Sequence, residues 1–110
     1  MLFQVVTRPN PLGISADEFL KLLQKGVVYT RDLMNQGIIE HSWVRVGSAG
    51  ALNIYNVSSH EQLMKCLYDN PISQHITFEV TPLVAINVFD DNHTTAFARQ
   101  AVSEETSRHA

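Results

Sequence analysis

Three side chains with binding or acid–base chemistry alternate along residues 38–46, a run rich in β-branched residues: His41, Trp43 and Arg45. Alternation along a strand places them on one face of a sheet. An imidazole releases and takes back protons near neutral pH, and a guanidinium binds a carboxylate through two parallel hydrogen bonds. An indole offers a flat apolar wall. The pattern predicts either a lined pocket or a contact with a second subunit.

For each of these residues a structural role competes with a functional one. His41 is either the acid–base group or a histidine held at a subunit interface. Trp43 is either a pocket wall or a packing residue. Arg45 either binds a substrate carboxylate or pairs with an acid of another subunit, for which Glu79 is a candidate. Glu79 is itself either a substrate-binding group or a surface residue.

Three further residues are candidates for substrate contacts. Tyr55 and Asn53 alternate on the next predicted strand and are able to hydrogen-bond to a carbonyl oxygen. Gly26 falls on the apolar side of a predicted helix, where glycine costs about 1 kcal/mol relative to alanine. We expect Gly26 either to allow close packing of helix and sheet or to leave room for a ligand. Cys66, the single cysteine, is interpreted as a small buried residue.

Size and composition limit the class of protein. The chain has 110 residues, 45% of them hydrophobic, which suits one small domain. We assign residues 1–85 to this domain and 86–110 to a C-terminal tail. A short helix is expected over 96–102, and the tail either docks on a neighbouring subunit or is disordered over 103–110. A domain of this size leaves apolar surface uncovered, so we expect a homo-oligomer.

Several functions and locations are disfavoured by the same composition. The net charge is −3 and the eight basic residues are scattered, which argues against a nucleic-acid partner. No signal-peptide pattern or long apolar run is present, and a lone cysteine fits a reducing compartment, so we expect a cytoplasmic protein without a membrane partner. The histidines lack ligand spacing, and no glycine-rich phosphate loop appears, so no metal or organic cofactor is predicted.

The elements that position these residues follow from periodicity and turn residues. Ser15 and Glu18 form a capping box that starts a long helix, and Gly37 is placed to end it. A second capping box at 58–61 starts a shorter helix. The predicted elements are a strand over 2–7, a helix over 16–36, strands over 38–46 and 51–57, a helix ending near 69, and a strand over 75–83. This βαββαβ order is typical of the ferredoxin-like α+β fold.

The register of the central hairpin decides which residues share a face, because a slip of one residue exchanges the two faces. We expect the register that sets Val44 and Val46 beside Leu52 and Ile54, under the helices. The other side then carries Gln4, His41, Trp43, Arg45, Asn53, Tyr55, Thr77 and Glu79. Two such sheets packed face to face would form a dimer around a lined chamber.

Several stretches of the chain resemble the muconolactone delta-isomerase family. They are the opening residues 1–3, the segment 37–47 with His41, Trp43 and Gly47, the strand end 54–57 and the stretch 71–83. The likeness covers most of the chain. The chain departs from the family pattern at three places: at Gly26, where the family has an acidic residue; at 48–51, where it has His-Tyr-Ala-Asn; and at Val44, where it has an arginine.

The resemblance implies a dimeric α+β barrel that assembles into larger rings. It also implies a reaction that moves a proton across an allylic lactone in aromatic-compound breakdown, without a metal or organic cofactor. We therefore predict an isomerase whose small-molecule partner is a lactone or carboxylic acid. The predicted catalytic residues are His41, Arg45 and Tyr55, and the predicted substrate-binding residues are Trp43, Asn53, Glu79 and Gly26.

Two other functions stay open. Because polar groups of the family pattern are missing at Gly26 and 48–51, the chain is alternatively a non-catalytic oligomer that binds a small molecule or supports an enzyme. A third hypothesis is related elimination chemistry, such as removal of halide from a lactone, which also begins with loss of a proton from carbon.

Overall fold

The computed structural model describes residues 1–88 and 90–109. Along the chain it contains β1 (Leu2–Pro9), α1 (Ala16–Asn35), β2 (Ile39–Val44), β3 (Ala51–Asn56), α2 (His60–Tyr68), β4 (Ile76–Leu83) and α3 (Asp91–His109), with short 3₁₀ turns at Ser73–His75 and Ile86–Val88. The predicted βαββαβ order is confirmed. Among the described residues, no helix combines the length and apolar composition needed to cross a lipid bilayer.

Local hydrogen bonds define both ends of α1, as the sequence predicted. The Ser15 hydroxyl accepts from the amide of Glu18 at 3.2 Å, which satisfies one of the free donors at the helix start. At the other end Gly37 takes a left-handed φ of 77°. This turn lets the Gly37 amide donate to Met34 O and the Ile38 amide donate to Leu33 O, each at 3.0 Å.

The capping box of α2 lies one residue later than predicted. Ser59, not Ser58, is the N-cap residue, and its hydroxyl accepts from the amide of Gln62 at 3.0 Å. The Gln62 side chain in turn accepts from the amide of Ser58 at 2.7 Å. The prediction paired Ser58 with Glu61, but Gln62 satisfies the Ser58 amide in place of Glu61. Because Ser58 and Ser59 are adjacent, the sequence allowed either serine to be the N-cap residue.

The four strands form one antiparallel sheet in the order β2-β3-β1-β4, the ferredoxin-like arrangement that was predicted. One side of the sheet packs against α1 and α2. The core cluster there consists of Phe3, Val5, Leu33, Ile39, Tyr55, Val57, Leu63, Cys66 and Leu67. We call this the helix-facing side, and the other side the open sheet face.

The predicted register of the hairpin is wrong. Tyr55 pairs with Phe3 and Asn53 pairs with Val5, so all four lie on the helix-facing side. Leu52 and Ile54 therefore lie on the open sheet face. Both alternating sets of β3 contain large apolar residues, so the pattern within this strand did not distinguish them, and pairing with β1 decided the choice.

The strand β2 is shorter than predicted and carries a bulge. Its register to β3 shifts between Ile39 and His41, so these residues fall on opposite sides despite their spacing. Ile39 is buried in the core, while His41 reaches the open sheet face. Beyond the bulge, Val44 and Val46 are 82% and 101% exposed and do not join the core as predicted.

The C-terminal segment forms a longer helix than the predicted 96–102. α3 begins next to Asp90, whose carboxylate accepts from the amide of His93 at 2.9 Å, and it extends through residues 103–109. Ala110, the last residue of the predicted tail, lies outside the described residues. Docking of this segment on a neighbouring subunit stays a prediction.

Candidate functional site

The open sheet face carries a stacked pair of aromatic rings at its β2 edge. His41 and Trp43 are two residues apart on this strand, and their rings lie 5.4 Å apart between centroids with 15° between planes. The Trp43 side chain remains 54% exposed, and His41 is exposed as well. The structure thus brings together an acid–base group and a flat apolar ring, as predicted, on a surface that a ligand or a second subunit can reach.

An apolar centre separates this pair from the other edge of the open sheet face. The residues in register with Trp43 across the sheet are Leu52, Val6 and Glu79. Those in register with His41 are Ile54, Gln4 and Thr81. Because neighbouring strands are about 4.8 Å apart, Glu79 lies about 14 Å from Trp43 across three strand spacings.

Glu79 has its own partner at that far edge. Its carboxylate accepts from the Arg8 guanidinium at 2.9 Å, and both side chains are largely exposed. Within one chain, Glu79 therefore pairs with Arg8 and not with Arg45. The distance also means that Glu79 and His41 of one chain do not contact the same small substrate.

Arg45 lies just past the end of β2, in the turn that leads to β3. Its backbone amide donates to Gly50 O at 3.1 Å, so the ladder continues to this residue. In the described part of the chain its guanidinium forms no ion pair. Arg45 is half-buried and lies two residues after Trp43 in the sequence, so it follows directly on the part of β2 that carries the stacked rings.

Tyr55 and Asn53 lie on the side of the sheet opposite to His41, which contradicts the predicted shared face. Tyr55 is 3% exposed within the core. Burial, with smaller effects from Tyr29 and Cys66, raises the pKa of its phenol, so Tyr55 stays neutral. The sheet separates both residues from the imidazole. The predicted set of His41, Arg45, Tyr55 and Asn53 is therefore not assembled around one substrate position within a chain.

Ser42 is a polar neighbour that sequence reasoning missed. It lies opposite Asn53 in the β2–β3 pairing, and its hydroxyl donates to Asn53 Oδ1 at 2.5 Å. Asn53 is 5% exposed, the one polar residue in the buried set of the described chain. The signal available in the sequence was a serine between His41 and Trp43, which must point away from them.

Gly26 fills a packing role at a contact between α1 and the segment after α2. A Cβ at this position would lie 3.0 Å from Ile72 Cγ2 and 3.2 Å from Asn70 Oδ1. The missing side chain therefore admits Ile72, which is buried, instead of leaving room for a ligand. Of the two predicted roles, close packing is the one that fits, but Gly26 packs against a loop and not against the sheet.

A second hydrogen bond ties α1 to α2 near this contact. The Tyr29 hydroxyl donates to Cys66 O at 2.6 Å. Burial raises the pKa of the Tyr29 phenol to about 12, and burial also raises the pKa of the Cys66 thiol. Both groups are therefore neutral near pH 7, and the predicted packing role of Cys66 agrees with its place in the core cluster.

The described residues do not gather a metal-binding group. Over 1–88 and 90–109, no three or more histidine, cysteine, aspartate or glutamate side chains lie close enough together to hold an ion. At the β2 edge of the open sheet face, the acid–base group beside the Trp43 indole is the His41 imidazole.

The sequence matches a known enzyme family over most of its length. The sequence model of muconolactone delta-isomerase matches residues 1–87. Muconolactone delta-isomerase of Acinetobacter baylyi is 29% identical over 84 residues, which cover 76% of this chain and 88% of that protein. Muconolactone delta-isomerase 1 of Acinetobacter lwoffii is 30% identical over 86 residues, with the same coverage of 76% and 88%.

Solved structures share the fold. A crystal structure of muconolactone isomerase aligns with a TM-score of 0.71 at 22% identity, over 83% of this chain and 98% of that chain. A 5-chloro-2-hydroxyhydroquinone dehydrochlorinase from Burkholderia phenoliruptrix AC1100, in complex with 2,5-dihydroxybenzoquinone, aligns with a TM-score of 0.60 at 16% identity, over 82% and 100%. With the family match over 1–87, these comparisons show that the chain belongs to the muconolactone delta-isomerase family.

Proposed function

We propose that this protein is an isomerase that moves a proton within a small unsaturated lactone or a related enolisable cyclic acid, in the metabolism of aromatic compounds. The single observation that carries the proposal is the His41–Trp43 stack on the open sheet face of a chain in this family. The named relatives are muconolactone delta-isomerases, so muconolactone is the first substrate to test.

The proposed reaction requires one group that both removes and returns a proton. The neutral His41 imidazole takes a proton from a ring carbon next to the double bond, and the C–H electron pair moves into the conjugated system as an enolate. The imidazolium then gives the proton to the carbon at the other end of the allylic system. The double bond has moved, and no atom has been gained or lost.

Trp43 and Arg45 supply the proposed binding contacts on the same edge. The exposed indole provides a flat surface for an unsaturated ring, and the guanidinium binds the substrate carboxylate. Tyr55 and Asn53 have no place in this mechanism because they lie across the sheet. Gly26 has none either, because it packs against Ile72.

We propose that a second copy of the chain encloses the site, because His41 is exposed in a single chain. Removing water strengthens the electrostatic contacts that stabilise an enolate. In the apolar centre of the open sheet face, Leu52 and Ile54 are half-buried beside the buried Val6, and they provide surface that such a copy would bury. We therefore propose a face-to-face dimer, in which polar groups of the partner complete the chamber.

Turnover of muconolactone by the purified protein tests the reaction, followed by ultraviolet absorbance of the enol-lactone. We expect His41→Gln to reduce kcat/KM by about 10²-fold or more, the usual contribution of general acid–base catalysis. His75→Gln is the matched control, because this half-buried histidine lies beside β4 in the turn Ser73–His75, and it should keep wild-type turnover. Unchanged turnover in His41→Gln would exclude the proposed role.

A non-catalytic binding protein is the second candidate function. It is favoured by one specific finding, that the predicted acid–base residue His41 and the predicted carbonyl-binding residues Asn53 and Tyr55 lie on opposite sides of the sheet. Saturable binding of muconolactone in calorimetry without any conversion by the wild-type protein would support this candidate against the isomerase.

Elimination is a related reaction that the same base would serve. A dehydrochlorinase shares this fold, although at 16% identity. In such a reaction His41 would take a proton from one ring carbon while chloride leaves the neighbouring carbon and a double bond forms between them. Release of chloride from a chlorinated lactone, with no conversion of muconolactone, would favour elimination over isomerisation.

A further inference from the structure

We propose that Ser42 and Asn53 are the pair that selects the bulged pairing of β2 with β3. This choice presents His41 and Trp43 on the open sheet face. The Ser42 hydroxyl donates to Asn53 Oδ1 at 2.5 Å between the two strands. Ser42 and Asn53 are positioning residues, because they act through the register of β2. Their importance for turnover rests on the proposed function, whereas their effect on the register does not.

The bulge decides on which side of the sheet the acid–base group lies. The pairing with β3 moves from Ile39 directly to His41, so Glu40 is an extra residue in β2. In a regular pairing counted from Ile39, His41 would lie opposite Asn53 on the helix-facing side. Trp43 would move with it, because the two side chains are two residues apart. The bulged and the regular pairings thus place the same two rings on opposite sides of the sheet.

Apolar burial does not favour the bulged pairing. This pairing leaves the Trp43 indole 54% exposed on the open sheet face, and it leaves Val44 82% exposed on the other side. The regular pairing would turn the indole toward the helix-facing side. It would also set Glu40 opposite Ile54, with no extra residue left out of the ladder. Another interaction therefore has to favour the bulge.

The backbone does not require the bulge either. One kind of bulge is built on a glycine in a left-handed conformation. Glu40 is not a glycine, and over the described ranges 1–88 and 90–109 no residue other than glycine has a positive φ. The turn that follows β2 is exposed over 46–49 and could take up the single residue by which the two pairings differ. Side-chain contacts are left to decide between them.

The hydrogen bond between Ser42 and Asn53 belongs to the bulged pairing alone. In the regular pairing Ser42 would lie opposite Leu52, on the open sheet face. The Asn53 side chain would then face the His41 ring in place of the hydroxyl. Keeping the imidazole out of the core also favours the bulge. That effect is the same in every variant that retains His41, so changes at Ser42 isolate the hydrogen bond.

A role in register explains why a buried position of β3 carries an asparagine. Asn53 is 5% exposed beside Val5, where an aliphatic residue would need no partner. A buried amide is costly unless it is paired, so it penalises a register that removes its partner. An apolar residue would accept both pairings, because apolar contacts are not directional. The buried polar pair thus specifies one register of β2.

Nuclear Overhauser contacts of the single tryptophan report the register directly in the intact protein. Side chains that lie directly opposite each other are about 5 Å apart between Cβ atoms. In the bulged pairing Trp43 lies opposite Leu52, whereas in the regular pairing it would lie opposite Ala51, on the other side of the sheet. The ratio of Trp43–Ala51 to Trp43–Leu52 cross-peaks therefore measures the population of the regular pairing.

Ser42→Thr and Ser42→Val form a matched pair, because threonine and valine have similar shapes and only threonine keeps a hydroxyl. We expect Ser42→Thr to keep the contacts between Trp43 and Leu52. Ser42→Val should raise the ratio of Trp43–Ala51 to Trp43–Leu52 contacts by about tenfold or more, because it leaves a buried acceptor unpaired.

Ser42→Ala removes the same hydroxyl without adding bulk. Ser42 is half-buried on an edge strand, so this variant should keep a cooperative thermal transition and shift the register in the same direction as Ser42→Val. Identical tryptophan contacts in Ser42→Thr, Ser42→Val and Ser42→Ala would overturn the proposal.

Muconolactone turnover separates this proposal from the proposed function. If His41 is the base on the open sheet face, kcat/KM of Ser42→Val should fall in proportion to the fraction of molecules that lose the bulged pairing. A wild-type protein that converts no muconolactone would refute the proposed function, and the tryptophan contacts would still decide the register proposal. Turnover that persists while Trp43–Ala51 contacts replace Trp43–Leu52 contacts would support the register proposal and refute His41 as the base.

Discussion

The indole of Trp43 stacks on the imidazole of His41, with ring centroids 5.4 Å apart, at the edge of a sheet face that α1 and α2 do not cover. Trp43 is the only tryptophan in the sequence, so its fluorescence reports on this face alone. The indole is 54% exposed in a single chain. If a second copy covers the face, the emission maximum should move to shorter wavelength as protein concentration rises.

Sedimentation velocity over the same concentrations gives the matching measurement of mass. Ile54→Lys is the informative variant, because it places a charge in the apolar centre of the open sheet face, on the strand next to His41. We expect this variant to stay monomeric, with an emission maximum that does not depend on concentration. A wild-type protein that sediments as a monomer throughout would rule out the face-to-face dimer.

Substitutions at Gly26 distinguish close packing from room for a ligand. Gly26→Ala gains about 1 kcal/mol of helix propensity. Its Cβ would press on Ile72 Cγ2 at 3.0 Å, so we expect a net change in the free energy of unfolding of less than about 1 kcal/mol. Gly26→Leu should destabilise the protein by about 2 kcal/mol or more through overpacking. Urea denaturation measures both, and muconolactone binding by folded Gly26→Ala should equal that of the wild type.

Gly50 and Gly47 offer a matched pair in the turn between β2 and β3. Both have a positive φ, 119° and 85°, but a Cβ at Gly50 would overlap the carbonyl oxygen of Thr7, whereas one at Gly47 would meet no atom within 4 Å. We expect Gly47→Ala to cost about 1 kcal/mol, for the left-handed backbone alone. Gly50→Ala should cost about 3 kcal/mol or more, measured by urea denaturation. Equal costs would show that β1 does not constrain this turn.

Ionisation of Tyr29 makes the free energy of unfolding depend on pH in the alkaline range. Its pKa is raised by burial from 10.0 to about 12 in the folded protein, so the folded state holds this proton where the unfolded state has lost it. The stabilisation is complete below pH 10 and is lost as pH rises toward 12. Urea midpoints across this window should fall less steeply in Tyr29→Phe than in the wild type.

The control for this prediction is Tyr68→Phe. Tyr68 is 67% exposed and contacts Phe78 edge-on at 6.5 Å, so loss of its hydroxyl should leave the alkaline slope unchanged. Near pH 7 Tyr29→Phe should also lose about 1 kcal/mol, because its hydrogen bond to Cys66 O is removed. An alkaline slope in Tyr29→Phe equal to that of the wild type would contradict the assignment.

Much of the fold could be predicted because it is encoded by short-range contacts. Ser15 caps a helix through an amide three residues away, and Gly37 ends it through a backbone conformation that other residues rarely adopt. The order of strands and helices, and so the ferredoxin-like fold, follows from such local patterns. The stretches 1–3, 37–47, 54–57 and 71–83 together also indicated the family to which the chain belongs.

Pairing between distant strands decided what these local patterns left open. β3 has apolar residues on both of its sides, so only its register with Phe3 and Val5 placed Tyr55 and Asn53 under the helices. The bulge at Glu40 then turned His41 away from Ile39 and onto the open sheet face. Side chains along a strand alternate between the two faces of the sheet. A shift of the register by one residue therefore moves each side chain of the strand to the opposite face. Sequence therefore determined which chemical groups are present, and tertiary structure decided which of them meet.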